Sequence, residues 1–248
     1  MSQTMLEQLV TLTRTMGQAH MDYVIIGEGN TSCRADEDSF YVKASGQTMQ
    51  DINAEGFVAM RLSETLAAIE RGDAQGVQNA KMNSQAPQRP SVEAAFHALL
   101  LAECGAQFVG HCHATAVNQI LCSSRARDFA DQRMFPDEVV LCGPRSAFVP
   151  YVDPGFPLAL AIRDAARAYM DAEGEAPKLI LLQNHGLIAL GKTPLEVLNV
   201  TAMAVKAARI FVGACQVGQP VFMSPADIAH IYKRPDEIYR RAQFVQKT

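Results

Sequence analysis

The stretch Gln107-Phe-Val-Gly-His-Cys-His-Ala-Thr-Ala-Val117 ends an apolar run with two histidines, His111 and His113. It reads as a strand. In an extended chain alternate side chains share a face, so His111 and His113 project together while Cys112 points the other way. Two imidazoles on one face make half of a metal site. On its own the pair reads equally well as two polar residues at a strand end, and a third ligand is what separates the two readings.

The chain has six histidines, His20, His97, His111, His113, His185 and His230. His185 follows the apolar run Leu179-Ile-Leu-Leu182 and the pair Gln183-Asn184, and Gly186 opens a second run, Leu187-Ile-Ala-Leu190. Strand, tight polar turn and return strand would fix an imidazole on a sheet rim. Three neutral imidazoles leave a fourth coordination position for water or substrate, as in catalytic rather than structural zinc sites.

Outward from these histidines, the segment Arg89-Pro-Ser-Val-Glu93 leads into Ala94-Ala-Phe-His97, with proline and serine marking a helix start. Glu93 is expected in the first turn, with His97 four residues on along the same face. A first-turn glutamate ordinarily complements the helix dipole, and it is also a common position for a general base. His97 is expected to be a hydrogen-bonded histidine packed near the site rather than a fourth ligand, and His20 and His230 to be surface histidines.

The remaining pattern mixes helices and strands along one α/β domain spanning residues 1–248. Helical spacing covers Thr4 to His20, Glu55 to Arg71, Ala114 to Cys122, Leu158 to Met170 and Pro194 to about Gly213, the last with Thr193 as N-cap and Glu196 completing a capping box. Strands are expected at Tyr23–Ile26, Thr31–Arg34, Phe40–Lys43 and Val139–Cys142. Asp73 to Arg89 reads as a surface loop and Phe148 to Pro157 as a rigid one. Two short helices, from Ser224 and from Pro235, close the chain. Gly27-Glu-Gly-Asn30-Thr-Ser32 lacks the third glycine and following helix of a dinucleotide fingerprint; it reads as a hairpin turn or an anion cradle.

With 248 residues, 48% of them hydrophobic, the chain can bury a sizeable core. A net charge of −4 without runs of one sign does not suggest a nucleic-acid or anionic-membrane surface. Six cysteines without a Cys-x-x-Cys pair fit buried reduced thiols, hence a cytoplasmic protein. There is no signal-peptide pattern, and no run of about 20 apolar residues is evident.

With His111, His113, His185 and Glu93 in hand, the chain resembles the class II aldolase/adducin family, which includes fuculose-phosphate and rhamnulose-phosphate aldolases and ribulose-phosphate 4-epimerase. Gly-Glu-Gly-Asn30-Thr-Ser, Val-Lys-Ala-Ser45-Gly, Pro-Ser91-Val-Glu93, Phe-Val-Gly-His111-Cys-His113 and Asn-His185-Gly-Leu occur in the family's order. Pro150-Tyr-Val-Asp-Pro-Gly-Phe-Pro-Leu158 looks closest to the aldolase portion of bifunctional rhamnulose-phosphate aldolase/dehydrogenases. The resemblance implies a three-layer α/β/α fold with a central, largely antiparallel sheet, and a homotetramer with sites at subunit interfaces. It also implies zinc, or another divalent ion such as manganese or cobalt, on His111, His113 and His185, with Glu93 as general acid/base. Gly29, Asn30, Ser45, Gly46 and Ser91 would hold a phosphate. The implied reaction is reversible aldol cleavage of a small hydroxy-carbonyl or sugar-derived compound through an enediolate. A metal-dependent decarboxylase, epimerase or dehydratase, and a non-catalytic adducin-like assembly module, stay open beside it. The family's second serine is Val92 here, its His-x-His-Pro is His-Cys-His-Ala, and Phe135-Pro-Asp137 stands where a tyrosine is expected, leaving Tyr232 and Tyr239 as weak substitutes.

Overall fold

The computed structural model describes residues 3–246, with side chains through residue 243. Helix α1 (Met5–Met16) opens on Thr4, whose side chain accepts from Glu7 N while Glu7 reaches back to Thr4 N. Such a box is worth about 1 kcal/mol. Strands β1 (Asn30–Arg34), β2 (Ser39–Lys43) and β3 (Phe57–Arg61) follow, then helices α2 (Leu62–Glu70), α3 (Ala74–Asn79) and α4 (Ala94–Glu103). Strand β4 (Phe108–Cys112) leads to α5 (Thr115–Leu121), α6 (Ala126–Asp131) and α7 (Pro136–Cys142). Strand β5 (Ala147–Val149), α8 (Phe156–Glu173), the hairpin β6 (Leu179–Leu182) and β7 (Gly186–Gly191), and helices α9 (Pro194–Val217), α10 (Pro225–Lys233) and α11 (Pro235–Gln246) complete it.

The seven strands form one sheet in the order β3-β2-β1-β4-β7-β6-β5, antiparallel throughout except for β5 beside β6. Alternation sorts the side chains into two cores. Phe108, Cys112, Leu181 and Leu187 join α1, α5 and α9 on one face. Val109, Ile180, Leu182 and Ile188 join α2, α4 and α8 on the other. The three-layer α/β/α arrangement with a largely antiparallel sheet is therefore present.

Several local expectations are corrected. Tyr23–Ile26 is irregular: among the described residues its one backbone bond to the β4 segment is from His113 N to the Tyr23 carbonyl, too little for a ladder. Glu55–Arg71 splits into β3 and α2, since Phe57, Val58 and Met60 pair along β2 before the chain turns helical. Val139–Cys142 belongs to helix α7, where Pro136 at the first turn and Asp137 and Glu138 behind it outweigh the two valines. The loop expected from Asp73 contains α3, capped by Asp73, and Phe148–Pro157 contributes the end of β5 and the start of α8. Helix α9 is long and apolar enough, by composition alone, to cross a bilayer; Val197, Val200, Ala204, Ala207 and Phe211 on it are buried in the core instead. Cys33, Cys112 and Cys142 are buried as expected, but Cys122 and Cys215 are exposed; all six are free.

Candidate metal centre

The sheet register builds the centre. His111 lies on β4 opposite Asn30 of β1 and Ile188 of β7. His113 is two residues further on. His185 is the last residue of the turn joining β6 to β7, where Asn184 takes a left-handed conformation (φ 56°) that asparagine tolerates. Gly186 follows because a Cβ there would come within 2.5 Å of the Cys112 carbonyl and 2.9 Å of the His113 ring. On α5, Asn118 Nδ2 donates to the His185 carbonyl at 2.9 Å and to that of His113 at 3.5 Å, tying the two ligand-bearing segments together.

The three rings form a near-equilateral triangle with centroids 4.9, 5.0 and 4.9 Å apart. Nε2 of His111 and Nε2 of His113 are 3.1 Å apart. A tetrahedral zinc with bonds of about 2.0–2.1 Å sets its nitrogens roughly 3.4 Å apart. One candidate ligand atom from each histidine lies within 4.8 Å of the others. His111 Nδ1 donates to the Leu187 carbonyl at 2.9 Å, which leaves its Nε2 as a bare lone pair facing inward.

Protonation does not relieve this crowding. Burial, then His185, pushes the His111 pKa down to about 3. Burial, then His111, takes His113 down to about 4. His185 is also lowered, chiefly by burial. Neutral imidazoles converging with lone pairs inward are a donor set for a divalent cation, so the residues fit the metal.

Glu93 closes the remaining side. Its Oε2 is 3.5 Å from His111 Nε2 and its Oε1 is 3.5 Å from His185 Nε2. The residue is the N-cap of α4, one position ahead of the expected first turn. Asn30 Nδ2 donates to Glu93 Oε2 at 2.7 Å and to Ser91 Oγ at 3.2 Å, and Ser91 Oγ also accepts from Glu93 N. Behind them His97 is fully buried between Asn30 Oδ1 (2.5 Å) and Ser32 Oγ (2.7 Å), so its expected role as a packed, hydrogen-bonded neighbour holds. His20 and His230 are exposed.

Asn30, Ser91 and Glu93 are thus drawn together beside the triad. Gly29 is buried with φ 68°, and a Cβ on it would meet the His111 carbonyl at 2.7 Å, so it serves the close approach of β1's lead-in to β4. Ser45 and Gly46 are exposed, and Ser45 lines a cavity of about 430 Å³ with Arg89, Val92 and Phe156 that includes none of the three histidines. Neither tyrosine substitute reaches the centre within this chain. Tyr232 is hydrogen-bonded to Glu175, beside Lys178 at the end of β6 opposite His185, and Tyr239 is exposed on α11. The sequence reading overlooked Asn118 and Lys43. Lys43 is 3% exposed, and burial takes its ammonium down to about 8 while Glu93 pulls it up. A lysine ending a buried central strand was the available signal.

The family described as Class II Aldolase and Adducin N-terminal domain matches residues 7–212. The chain belongs to that family. Among class II aldolase relatives, the N-terminal class II aldolase domain of a conserved Thermoplasma acidophilum protein is 26% identical, covering 86% of this chain and 95% of its own, with a TM-score of 0.66. An L-fuculose 1-phosphate aldolase shares the fold at 16% identity, covering 94% of this chain and 96% of its own, with a TM-score of 0.72. The Bacillus subtilis protein named uncharacterized oxidoreductase YuxG is 29% identical over 181 residues. The alignment covers 67% of this chain and 24% of YuxG, so the chain spans about a quarter of that relative's length. The chain thus has the class II aldolase fold, a metal-dependent scaffold.

Proposed function

We propose that this chain is a metal-dependent lyase that reversibly cleaves the carbon–carbon bond of a small β-hydroxy carbonyl or sugar-derived compound. The observation that carries the reading is the Glu93 carboxylate, held by Asn30 at 2.7 Å and facing the ring nitrogens of His111 and His185 at 3.5 Å. His111, His113 and His185 would hold the cation, zinc or else manganese or cobalt. When bound, it supplies the Lewis acidity that stabilises negative charge developing on the substrate's oxygens.

The chain's own residues do the rest. Glu93 moves the proton at the carbon next to the carbonyl, taking it in the synthetic direction and returning it after cleavage. Asn30 and Ser91 keep that carboxylate aimed, and the buried ammonium of Lys43 balances its charge. Gly29, Asn30, Ser45, Gly46 and Ser91 border the space for the substrate's remote end, phosphorylated or free. We further assign the chain as one catalytic domain, acting in the cytoplasm as a homotetramer with sites at its interfaces.

A decarboxylase, epimerase or dehydratase using the same enolate chemistry is the second reading. What favours it is that neither Tyr232 nor Tyr239 lies at the triad, whereas decarboxylation needs no acid at an aldehyde oxygen. The intact triad and Glu93 argue against a non-catalytic assembly role.

Metal analysis of the purified protein is expected to find about one divalent ion per chain, lost in His185→Ala. Glu93→Gln keeps the ion but stops solvent proton exchange into a hydroxy-ketone; full exchange by that variant would remove Glu93 from the chemistry. A screen of phosphorylated against free hydroxy-carbonyl compounds, scored for aldehyde release and for carbon dioxide, separates the two readings.

A further inference from the structure

Between α1 and β1 the chain runs from Asp22 to Gly29 with no strand or α-helix, yet it is pinned to the segment that carries His113. His113 N donates to the Tyr23 carbonyl at 3.0 Å, Thr115 N to the Asp22 carbonyl at 3.2 Å, and Thr115 Oγ1 to Asp22 Oδ1 at 2.9 Å. Within it Ile26 has φ 53°. A β-branched residue in that region is an outlier whose strain the surroundings must impose. Ile26 is 86% exposed, so burial of its own side chain does not offset the strain.

What the turn does achieve is the placement of Glu28. Its backbone N donates to the Ile25 carbonyl at 3.0 Å, and its Oε2 accepts from Ile25 N at 3.0 Å. The other carboxylate oxygen, Oε1, then faces His113 Nδ1 at 3.8 Å, on the side of the ring away from His111. The three candidate ligands differ in what backs them. His111 is backed by a carbonyl, and the buried Nδ1 of His185 has no hydrogen-bond partner among the described residues. Glu93 faces the inner nitrogens of His111 and His185, whereas among the described residues only His113 has a carboxylate at its outer nitrogen, Nδ1.

We infer that Glu28 is a positioning residue for the metal, acting through His113. The separation is longer than a hydrogen bond but within the range of a charge. A carboxylate at the outer nitrogen favours the tautomer protonated at Nδ1, leaves the Nε2 lone pair inward and strengthens it as a donor. The strained turn exists to hold that charge in place. This rests on the reading of His111, His113 and His185 as a metal site.

The test compares Glu28→Gln, which keeps an acceptor for Ile25 N and removes the charge, with Glu28→Ala, which removes both. Zinc affinity is read by competition with a chelator, together with the visible absorption of the cobalt-loaded protein and the melting of the metal-free protein. Expected are a loss of roughly 10- to 100-fold in zinc affinity for Glu28→Ala and at least about fivefold for Glu28→Gln. In Glu28→Gln the cobalt band shifts while metal-free melting is unchanged. Zinc binding by Glu28→Gln within about twofold of wild type, with the same cobalt spectrum, overturns the inference. A wild-type chain that takes up no ion, or a His185→Ala variant that binds as well as wild type, overturns the metal site itself and this inference with it.

Discussion

Asn30 donates to Glu93 through Nδ2 and accepts from His97 through Oδ1, at 2.7 and 2.5 Å. The carboxylate can only accept, so the amide orientation is fixed, His97 Nε2 must carry the proton, and Nδ1 must accept from Ser32. Donors run from Ser32 through His97 and Asn30 toward one carboxylate, in a chain whose members polarise one another.

Removing the middle member tests this directly. A hydrogen bond to a charged acceptor is worth about 1.5–3 kcal/mol, so Asn30→Ala is expected to slow solvent deuterium exchange into a bound hydroxy-ketone by roughly 10- to 100-fold. Metal content should stay at the wild-type level. Wild-type exchange in this variant would show that Glu93 aims itself.

The metal-free protein should weaken in acid. Burial first, then His111 and Lys43, holds the His97 pKa well below its ordinary value, and His111 and His113 are down to about 3 and about 4. Below about pH 6.5 the unfolded chain takes up protons at these rings that the folded chain refuses. Stability is therefore full above that pH and falls as pH drops toward the folded values, by at most about 1.4 kcal/mol per pH unit for each ring. Denaturant unfolding of chelator-treated protein between pH 7 and pH 5 measures the slope, and His97→Gln should flatten it. A flat wild-type profile would contradict the burial of neutral histidines.

Arg133 and Glu138 form the second demanding cluster, 1% and 2% exposed. The guanidinium donates to the Gly143 carbonyl (2.9 Å), the Gln132 carbonyl (2.9 Å) and Ser146 Oγ (3.0 Å), and lies 3.8 Å from Glu138. Burial raises the Glu138 pKa against the pull of Arg133. Arg133→Met strands the carboxylate and should cost about 3–5 kcal/mol, read from the urea midpoint. Glu138→Gln should cost less, because Met134 N keeps an acceptor. Equal costs would mean that packing alone matters there.

Gly186→Ala should damage the centre without touching a ligand. Its methyl group would lie 2.5 Å from the Cys112 carbonyl and 2.9 Å from the His113 ring, so the hairpin or the ring must shift. A destabilisation of about 1–3 kcal/mol is expected, with weaker zinc uptake in a chelator titration. Unchanged uptake would mean that the triad tolerates displacement of His113.

Much of the frame was legible because it rests on local chemistry. The two-residue period of β4 separated His111 and His113 from Cys112, and Asn184 with Gly186 marked the turn that presents His185. Where two periods fit, the reading went astray: Phe57-Val-Ala-Met60 suits helix or strand equally, and only pairing with β2 decides it. Val139 and Val140 suggested a strand, although Pro136 and the acids behind it already signalled a helix. Within the centre, Glu93 and the histidines were visible as residue types at revealing spacings. Asn118, Lys43 and Glu28 were not legible as site residues, although Lys43 and Glu28 lie inside segments that carry the family resemblance, since each acts on a partner distant in sequence.

Strand β4 pairs with β7 so that His111 stands opposite Ile188, three residues beyond His185. A shift of one residue in that pairing would turn every side chain of the strand to the other layer. The cation's cage thus does not exist in a collapsed but mispaired chain, and long-range pairing of this kind forms slowly. Ion capture during refolding would therefore mark the moment at which β4 and β7 lock in register, a clock for the late stage of assembly.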